Sequence, residues 1–239
     1  MNPTINKKTR LIDLGLIDYK EAWDYQTTLF EKILAVKAEN RTLPEQQQHL
    51  TENFLLFCQH PHVYTLGKSG NQSNLLLTPE ELPSINATYY HINRGGDITY
   101  HGPGQLVGYP VIDLENFFTD IHKYMRLLEE AVIRTLNEFG VESGRISGLT
   151  GVWIDPENAN NARKICALGV KTSRWVTMHG FALNVNTDLA YFNHIVACGI
   201  NDKAVTSLQK EVGGAIDIMQ VEDTLKNKIA DLFEMNLIR

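Results

Sequence analysis

The chain has 239 residues, of which 43% are hydrophobic and 21% are charged, so it can bury a core of ordinary size and is not a disordered chain. Its formal net charge of −6 at pH 7 argues against general nucleic-acid binding, because a phosphate backbone would be repelled. No apolar run reaches the length of a membrane span, the N-terminus lacks the apolar stretch of a signal peptide, and the three cysteines form no metal-binding spacing. We therefore expect a cytoplasmic protein with reduced thiols that binds neither nucleic acid nor membranes.

The first half of the chain predicts a strand, a long helix and then further strands. Residues 9–17 predict a strand, and residues 18–40 predict a helix with Asp18 as its N-cap. Two apolar runs within residues 53–70, separated by a His-Pro pair and ended by glycines, predict two strands of a sheet. Residues 89–114 predict strands that are joined by glycine-rich turns.

The second half continues with the same mixture of elements. Residues 120–140 predict a strongly amphipathic helix that Asp120 caps, and residues 147–155 and 164–185 predict strands. Residues 221–237 predict a C-terminal amphipathic helix. Because strands and helices do not alternate one for one, the predicted fold class is α+β, with a mixed, largely antiparallel sheet flanked by helices.

The string RGGDITYHGPGQ, from Arg94 to Gln105, admits two interpretations. It contains four glycines and one histidine, and it matches neither the dinucleotide-binding nor the P-loop pattern. The glycines would suit a hairpin with a tight turn at each end, or the wall of a binding site where a substrate lies against bare backbone. His101 is equally open, since a lone histidine is more often a structural hydrogen-bonding group than a catalyst.

The cysteines are candidate nucleophiles, because a thiolate is the most reactive nucleophile among ordinary side chains. Cys58 lies in the apolar run FLLFC, where burial would silence it. Cys166 lies two positions after Lys164, and residues two apart share one face of a regular strand, so these two form a possible local pair. Cys198 precedes a glycine in a loop-like setting, and at this stage it competes with Cys166 for the role. Burial of all three as small hydrophobic side chains is the commoner outcome.

Five strings occur together in one order: RGGDITYHGPGQLVGYPVIDL, GLTGVWI, KICALGV, TMHGFALNV and ACGI. In this combination the chain resembles the lipoyl(octanoyl) transferases over roughly residues 54 to 212. The resemblance implies a single catalytic domain over residues 1–239, with the fold of the biotin and lipoate protein ligases. It implies the transfer of an octanoyl group from octanoyl-acyl carrier protein to one lysine of a lipoyl domain, on the E2 subunits of 2-oxoacid dehydrogenases or on the glycine cleavage H protein.

The resemblance also implies which residues form the site. Cys198 takes the position of the acyl-thioester cysteine and Lys164 that of its partner lysine, so Cys166 becomes a packing residue. The substrate-binding positions fall in three segments: Arg94, Gly95, Gly96, Asp97, Ile98, Thr99, Tyr100 and His101; Ala167, Leu168 and Gly169; and Gly180, Phe181 and Ala182. We expect the small residues among them to leave an apolar slot for the acyl chain. The resemblance implies no cofactor, neither ATP nor a metal.

Basic residues in or near these segments are predicted to surround the mouth of the site and to steer acidic partner proteins: Lys68, Arg94, Arg145, Lys171 and Arg174. Three other functions compete with the transferase. They are an ATP-dependent lipoate or biotin ligase, which needs no cysteine; an amidotransferase between lipoyl domains; and a non-catalytic module that binds acyl carriers. The cysteine of ACGI weighs against the ligase. The string RGGDITYHGPGQ weighs against the amidotransferase. The presence of both Cys198 and Lys164 weighs against the non-catalytic module.

Overall fold

The apolar runs of the sequence form two β-sheets in the computed structural model, which describes residues 5–196 and 204–239. The larger sheet contains eight strands of the described chain: β1 (Lys8–Leu16), β2 (Asn53–Gln59), β6 (Gln105–Val111), β7 (Val152–Ile154), β8 (Arg163–Ser173), β9 (Val176–Asn184), β10 (Ala204–Val205) and β11 (Asn236–Ile238). The smaller sheet contains β3 (Val63–Leu66), β4 (Thr88–His91) and β5 (Ile98–His101).

The larger sheet is antiparallel at its centre and parallel at both edges. Its strand order is β10-β8-β9-β6-β2-β1-β11, with β7 added to β8. The ladders β8–β9, β9–β6 and β6–β2 are antiparallel, whereas β10 pairs with β8, and β1 with both β2 and β11, in parallel. The predicted fold class is therefore confirmed.

Four helices of the described chain cover the larger sheet: α1 (Tyr19–Asn40), α2 (Ile121–Glu138), α3 (Leu208–Val212) and α4 (Ile218–Phe233). The predicted N-caps are present, since the Asp18 carboxylate accepts from the Lys20 N–H and the Asp120 carboxylate accepts from the Lys123 N–H. One core joins α1 to alternate residues of β2, β6 and β9, and a larger core joins α2 and α4 to the same sheet. Because both faces are covered, every residue of β6 and β9 is buried. Within the described ranges, no helix is both long enough and apolar enough to cross a bilayer.

The C-terminal segment differs from the sequence prediction. The helix predicted over residues 221–237 starts three residues earlier, at Ile218, and stops at Phe233. Glu234 adopts a left-handed conformation with φ of 55°, which ends the helix, and residues 236–238 become the edge strand β11. The helical periodicity did not reveal this strand, because its hydrogen-bonding partner is β1, at the other end of the chain.

The string RGGDITYHGPGQ does not form a hairpin. Its first part is a loop that leads into β5 of the smaller sheet, and its last residue opens β6 of the larger sheet. Between them is a tight turn in which the Gln105 N–H donates to the Gly102 carbonyl at 3.1 Å. Since β5 pairs with β3, and β6 with β2 and β9, the string passes from one sheet to the other.

The hairpin of β8 and β9 has a two-residue turn of unusual composition. Ser173 pairs with Val176, and the two turn residues, Arg174 and Trp175, have φ of 49° and 66°. Both are left-handed, a conformation that such turns normally assign to asparagine and glycine. The Leu114 N–H donates to the Trp175 carbonyl at 2.8 Å and holds the turn from outside.

Candidate active site

A cavity of about 610 Å³ lies where the smaller sheet meets the centre of the larger one. One wall carries alternate residues of β6, namely Gln105, Val107 and Tyr109, which share a face because strand side chains alternate. Other walls come from β8, β9, β10, β5 and the start of α1. A volume of this size is typical of small-molecule sites.

Most of the first predicted segment lines this cavity, and its loop is fastened by Arg94. Residues 94–99 and His101 contribute to the lining. The Arg94 guanidinium donates to the Gly95 and Asp97 carbonyls at 2.9 Å and to the Thr65 carbonyl at 3.0 Å. Only 9% of Arg94 is exposed, so its side chain holds the loop against β3.

Tyr100 is the one member of the first segment that does not line the cavity. It is fully buried in the core of the smaller sheet, where its ring stacks on Tyr191 and its hydroxyl lies 2.7 Å from His62 Nδ1. Strand alternation explains this, because Thr99 and His101 occupy the cavity side of β5 and Tyr100 points the other way. The assignment of Tyr100 to substrate binding stays a prediction, and the structure places its side chain outside the cavity.

The second and third predicted segments face each other across the ladder of β8 and β9. Ala167 pairs with Ala182, Leu168 with Phe181, and Gly169 with Gly180. All six residues line the cavity, so the two segments form one part of its wall.

The glycines of these segments serve close packing within the protein rather than open space. A Cβ added at Gly180 would lie 2.1 Å from the Gly108 carbonyl oxygen, and one added at Gly169 would lie 2.8 Å from the Gly95 carbonyl oxygen. The neighbouring backbone already occupies the room that these glycines provide. The expectation that they leave that room to an acyl chain is wrong for these two positions.

Lys164 lies in the cavity wall at the end of β8 nearest to β10. Its Nζ stands 4.6 Å from the centre of the Trp153 ring, and Val205 of β10 pairs with it. Its stem is closed in by the loop before β7, since a Cβ added at Gly151 would lie 3.2 Å from Lys164 Cε. That loop is held to α2, because the fully buried Glu129 accepts from the Gly151 N–H at 3.0 Å.

The local pair of Lys164 and Cys166 does not form, because β8 contains an extra residue at this point. Val152 opposes Cys166, yet the next residue, Trp153, opposes Lys164, so Ile165 has no partner of its own. Ile165 and Cys166 are both fully buried in the core under α2 and α4. Burial also raises the pKa of the Cys166 thiol, and that of Cys58, which keeps both protonated.

Cys198 lies outside the described residues. The described residues on either side of it make defined contacts. The Val196 N–H donates to the Asn74 carbonyl at 2.8 Å, and Ala204 pairs with Arg163 beside Lys164.

Three buried histidines cluster around one part of the cavity. Burial lowers the pKa of His101 to about 3, of His179 to about 3 and of His60 to about 4, so all three are neutral at pH 7. His101 stacks on the Tyr19 ring with centroids 5.8 Å apart, and its Nδ1 lies 2.8 Å from Gln105 Oε1. His179 Nε2 lies 3.2 Å from Asn93 Oδ1. These groups act as neutral hydrogen-bonding partners rather than as proton acceptors.

The five basic residues that were predicted to surround the mouth of the site lie in different surroundings. Arg94 alone among the five lines the cavity. Arg145 is engaged within the protein, in ion pairs with Glu129 at 3.0 Å and Glu130 at 2.9 Å. Lys171 lies over the Phe30 ring, whereas Lys68 and Arg174 are exposed. A steering role remains a prediction for these last three residues.

Several lining residues were missed by the sequence analysis. Val107 and Tyr109 follow Gln105 at a spacing of two, so strand periodicity would have found them. Asn184 follows Ala182 at the same spacing. No sequence pattern indicates that Tyr19 lines the cavity, because only the tertiary fold brings the start of α1 to the cavity wall. Across residues 5–196 and 204–239, no three His, Cys, Asp or Glu side chains converge as metal ligands would.

Comparison with known proteins places the chain in a family. The model of the lipoyl protein ligase A/B catalytic domain matches residues 18–230. An octanoyltransferase of Cytophaga hutchinsonii is 59% identical over 237 residues, covering 99% of this chain and 97% of the relative. An octanoyltransferase of Flavobacterium johnsoniae is 57% identical over 235 residues, covering 98% of this chain and 100% of the relative.

Solved structures of lipoate protein ligases share the fold. Lipoate-protein ligase A bound with ATP aligns with a TM-score of 0.64 at 17% identity, covering 98% of this chain and 90% of the ligase. The bipartite lipoate protein ligase of Thermoplasma acidophilum, determined in a study of that ligase and its E2 lipoyl domain, aligns with a TM-score of 0.64 at 17% identity, covering 97% of this chain and 88% of the ligase.

Proposed function

The chain belongs to the lipoyl protein ligase A/B catalytic domain family and is an acyltransferase, and we propose that it moves an octanoyl group from octanoyl-acyl carrier protein to a lysine of lipoyl domains. The acceptors are the lipoyl domains of 2-oxoacid dehydrogenase E2 subunits and the glycine cleavage H protein. The reaction takes place in the cytoplasm and needs no cofactor. Support comes from the name octanoyltransferase carried by its relatives and from the ligase studied with its E2 lipoyl domain.

The first step forms an acyl-enzyme. The Lys164 amine takes the proton of the Cys198 thiol, and the thiolate attacks the carbonyl carbon of the octanoyl thioester. The bond to the carrier sulfur breaks, and the departing thiolate takes the proton back from the Lys164 ammonium. One thioester replaces another, so the step is nearly balanced in energy.

The second step forms the amide. The neutral amine of the acceptor lysine attacks the Cys198 thioester, and Lys164 removes a proton from the attacking nitrogen. The C–S bond then breaks and Cys198 leaves as a thiolate beside the Lys164 ammonium. Because an amide is more stable than a thioester, this step pulls the sequence forward.

The position of Lys164 carries the proposal. It lines the same cavity as the three predicted substrate-binding segments, although they lie far apart in the sequence. Val107, Ala167 and Ala182 add apolar surface to that cavity. Burial of an octanoyl chain there would contribute about 0.8 kcal/mol for each methylene. The N–H groups near Leu168 and Gly169 are candidate donors to the tetrahedral oxyanion.

Intact-mass analysis tests the proposal. The protein is incubated with octanoyl-acyl carrier protein without ATP, and we expect one octanoyl adduct that is absent in Cys198→Ser and present in Cys166→Ser. Addition of a lipoyl domain should move the adduct to that domain. A protein that forms no adduct, and that modifies the lipoyl domain only with free octanoate and ATP, would be a ligase like its structural relatives, and the proposal would fail.

A further inference from the structure

A chain of buried hydrogen bonds connects the cavity wall at His101 to the strand beside Lys164. His101 Nδ1 lies 2.8 Å from Gln105 Oε1, and Gln105 Nε2 donates to Asn184 Oδ1 at 2.9 Å. Asn184 Nδ2 donates to the Thr206 carbonyl at 3.0 Å, and the Thr206 N–H donates to the Lys164 carbonyl at 2.9 Å. His101, Gln105 and Asn184 are each at most 7% exposed, and all three line the cavity.

The donor-to-acceptor direction of this series of hydrogen bonds is fixed at two points. A backbone carbonyl can only accept, so the Asn184 group that faces Thr206 must be its NH₂, and Asn184 Oδ1 is left to accept from Gln105. Independently, Gln105 Nε2 also faces the Tyr100 carbonyl at 3.1 Å, which requires the NH₂ of Gln105 on that side. Gln105 Oε1 therefore accepts, and the proton of neutral His101 must reside on Nδ1.

The series of hydrogen bonds continues beyond His101, with the same donor-to-acceptor direction. With Nδ1 protonated, His101 Nε2 is an acceptor, and the Thr65 hydroxyl lies 3.5 Å from it, the longest link. Thr65 Oγ1 in turn accepts from Arg94 Nη2 at 3.1 Å. A guanidinium can only donate, so this end agrees with the direction set at the Thr206 end. All donors point from the Arg94 loop toward β10.

We propose that Gln105 and Asn184 are positioning residues, which form a directional amide relay that holds Thr206, directly after β10, against the Lys164 backbone and holds His101 as the Nδ1–H tautomer. The relay ties the loop of predicted substrate contacts to the strand of the predicted catalytic lysine, so the two walls are placed together. This inference rests on the proposed function for its meaning in catalysis. The geometry of the relay does not depend on that function.

The protein contains a second asparagine, Asn186, whose substitution serves as a matched control for substitution of Asn184. Two positions later, the Asn186 side chain also bridges backbone groups: Nδ2 donates to the Ile216 carbonyl at 2.7 Å, and Oδ1 accepts from the Ile216 N–H at 3.0 Å. Asn186 does not line the cavity. Asn184→Asp and Asn186→Asp each keep the accepting oxygen and lose the donated hydrogen bond, the first at a buried position in the cavity wall and the second at a half-buried position outside it.

The first experiment uses NMR of the purified protein without substrate. Nitrogen-15 spectra should show His101 with a protonated Nδ1 and an unprotonated Nε2, assigned by comparison with His101→Gln. In Asn184→Asp the Thr206 amide should exchange with solvent about tenfold faster, because the Thr206 carbonyl loses the hydrogen bond that holds this residue beside Lys164. In Asn186→Asp the exchange rate of Thr206 should be unchanged. A wild-type His101 protonated on Nε2, or equal exchange in both variants, overturns the relay.

The second experiment measures octanoyl transfer. Asn184→Asp should lower kcat on the order of 10²-fold with little change in KM for the octanoyl carrier, because a displaced Lys164 affects the chemical step more than binding. Asn186→Asp should retain the wild-type kcat. A wild-type kcat in Asn184→Asp contradicts the positioning role. If the wild-type protein transfers no octanoyl group, the proposed function fails, and the NMR result still decides whether the relay exists.

Discussion

Lys164 and Cys166 stand two positions apart on β8, yet Lys164 lines the cavity whereas Cys166 is fully buried in the core under α2 and α4. The extra residue Ile165 separates their directions. Cys166 is therefore not placed to act with Lys164, and under the proposed mechanism the partner of Lys164 is Cys198.

The first prediction concerns the buried thiols. In a Cys198→Ser background, Cys58 and Cys166 should resist alkylation at pH 8 while the protein is folded, because burial raises the pKa of both thiols. Both should react once the chain is unfolded in urea. Mass spectrometry after iodoacetamide treatment counts the labels. Rapid labelling of Cys166 in the folded protein would contradict its placement in the core.

The second prediction concerns Gly180. Gly180→Ala should lower the free energy of unfolding by about 1–3 kcal/mol, since the new methyl group meets the Gly108 carbonyl of β6 and the strands must separate. Gly214→Ala is the control, because a Cβ there meets nothing within 4 Å. Urea denaturation compares the two. Equal stability of both variants would show that β6 and β9 can accommodate the methyl group.

The third prediction concerns Glu129. Glu129→Ala removes the acceptor of the Gly151 N–H, so the loop that encloses the Lys164 stem should loosen, and stability should fall by about 1–3 kcal/mol. Glu129→Gln keeps that acceptor and should retain more of both stability and octanoyl transfer. Glu130→Gln, which weakens partly exposed ion pairs with Arg134 and Arg145, should cost less than about 1 kcal/mol. If Glu129→Gln and Glu129→Ala behave alike, the charge rather than the hydrogen bond matters.

The fourth prediction concerns pH. The folded pKa values of His60, His101 and His179 lie near 3–4, below the ordinary value of 6.5, so between these limits the unfolded chain binds more protons than the folded chain. Their contribution to stability is complete above pH 6.5 and is lost as the pH falls toward 4. Denaturation at pH 7, 6 and 5 should show a progressive fall, and His60→Gln should reduce its slope. A stability that is flat over this range would mean that the three histidines titrate normally in the folded protein.

Local signals predicted the starts of α1 and α2. Asp18 and Asp120 are N-caps in the sequence and in the structure, because capping depends on neighbouring residues alone. The strands of the hairpin were also visible as apolar runs. What the residues alone left open was the site: the string RGGDITYHGPGQ was equally compatible with a hairpin, and only the family resemblance pointed to a wall.

Features that depend on tertiary contacts could not be predicted. Tyr19 reaches the cavity because α1 packs on the larger sheet, and β11 exists because β1 offers it a partner. The role of Gly180 was misjudged for the same reason. A glycine in a strand signals a close approach, but the sequence does not say whether a substrate or the neighbouring strand makes it.

The left-handed turn of Arg174 and Trp175 has a consequence for the order of folding. This hairpin carries Lys164 and two predicted binding segments, but its turn residues are poor initiators of a hairpin, so β8 and β9 cannot rely on their own turn to come together. The contacts that support the turn come from outside: the Leu114 N–H donates to the Trp175 carbonyl, and the Thr177 N–H donates to the Ile112 carbonyl. We therefore expect residues 112–114, directly after β6, to dock first and to serve as the template on which the hairpin closes. The cavity wall formed by β8 and β9 would then be among the last parts of the sheet to assemble.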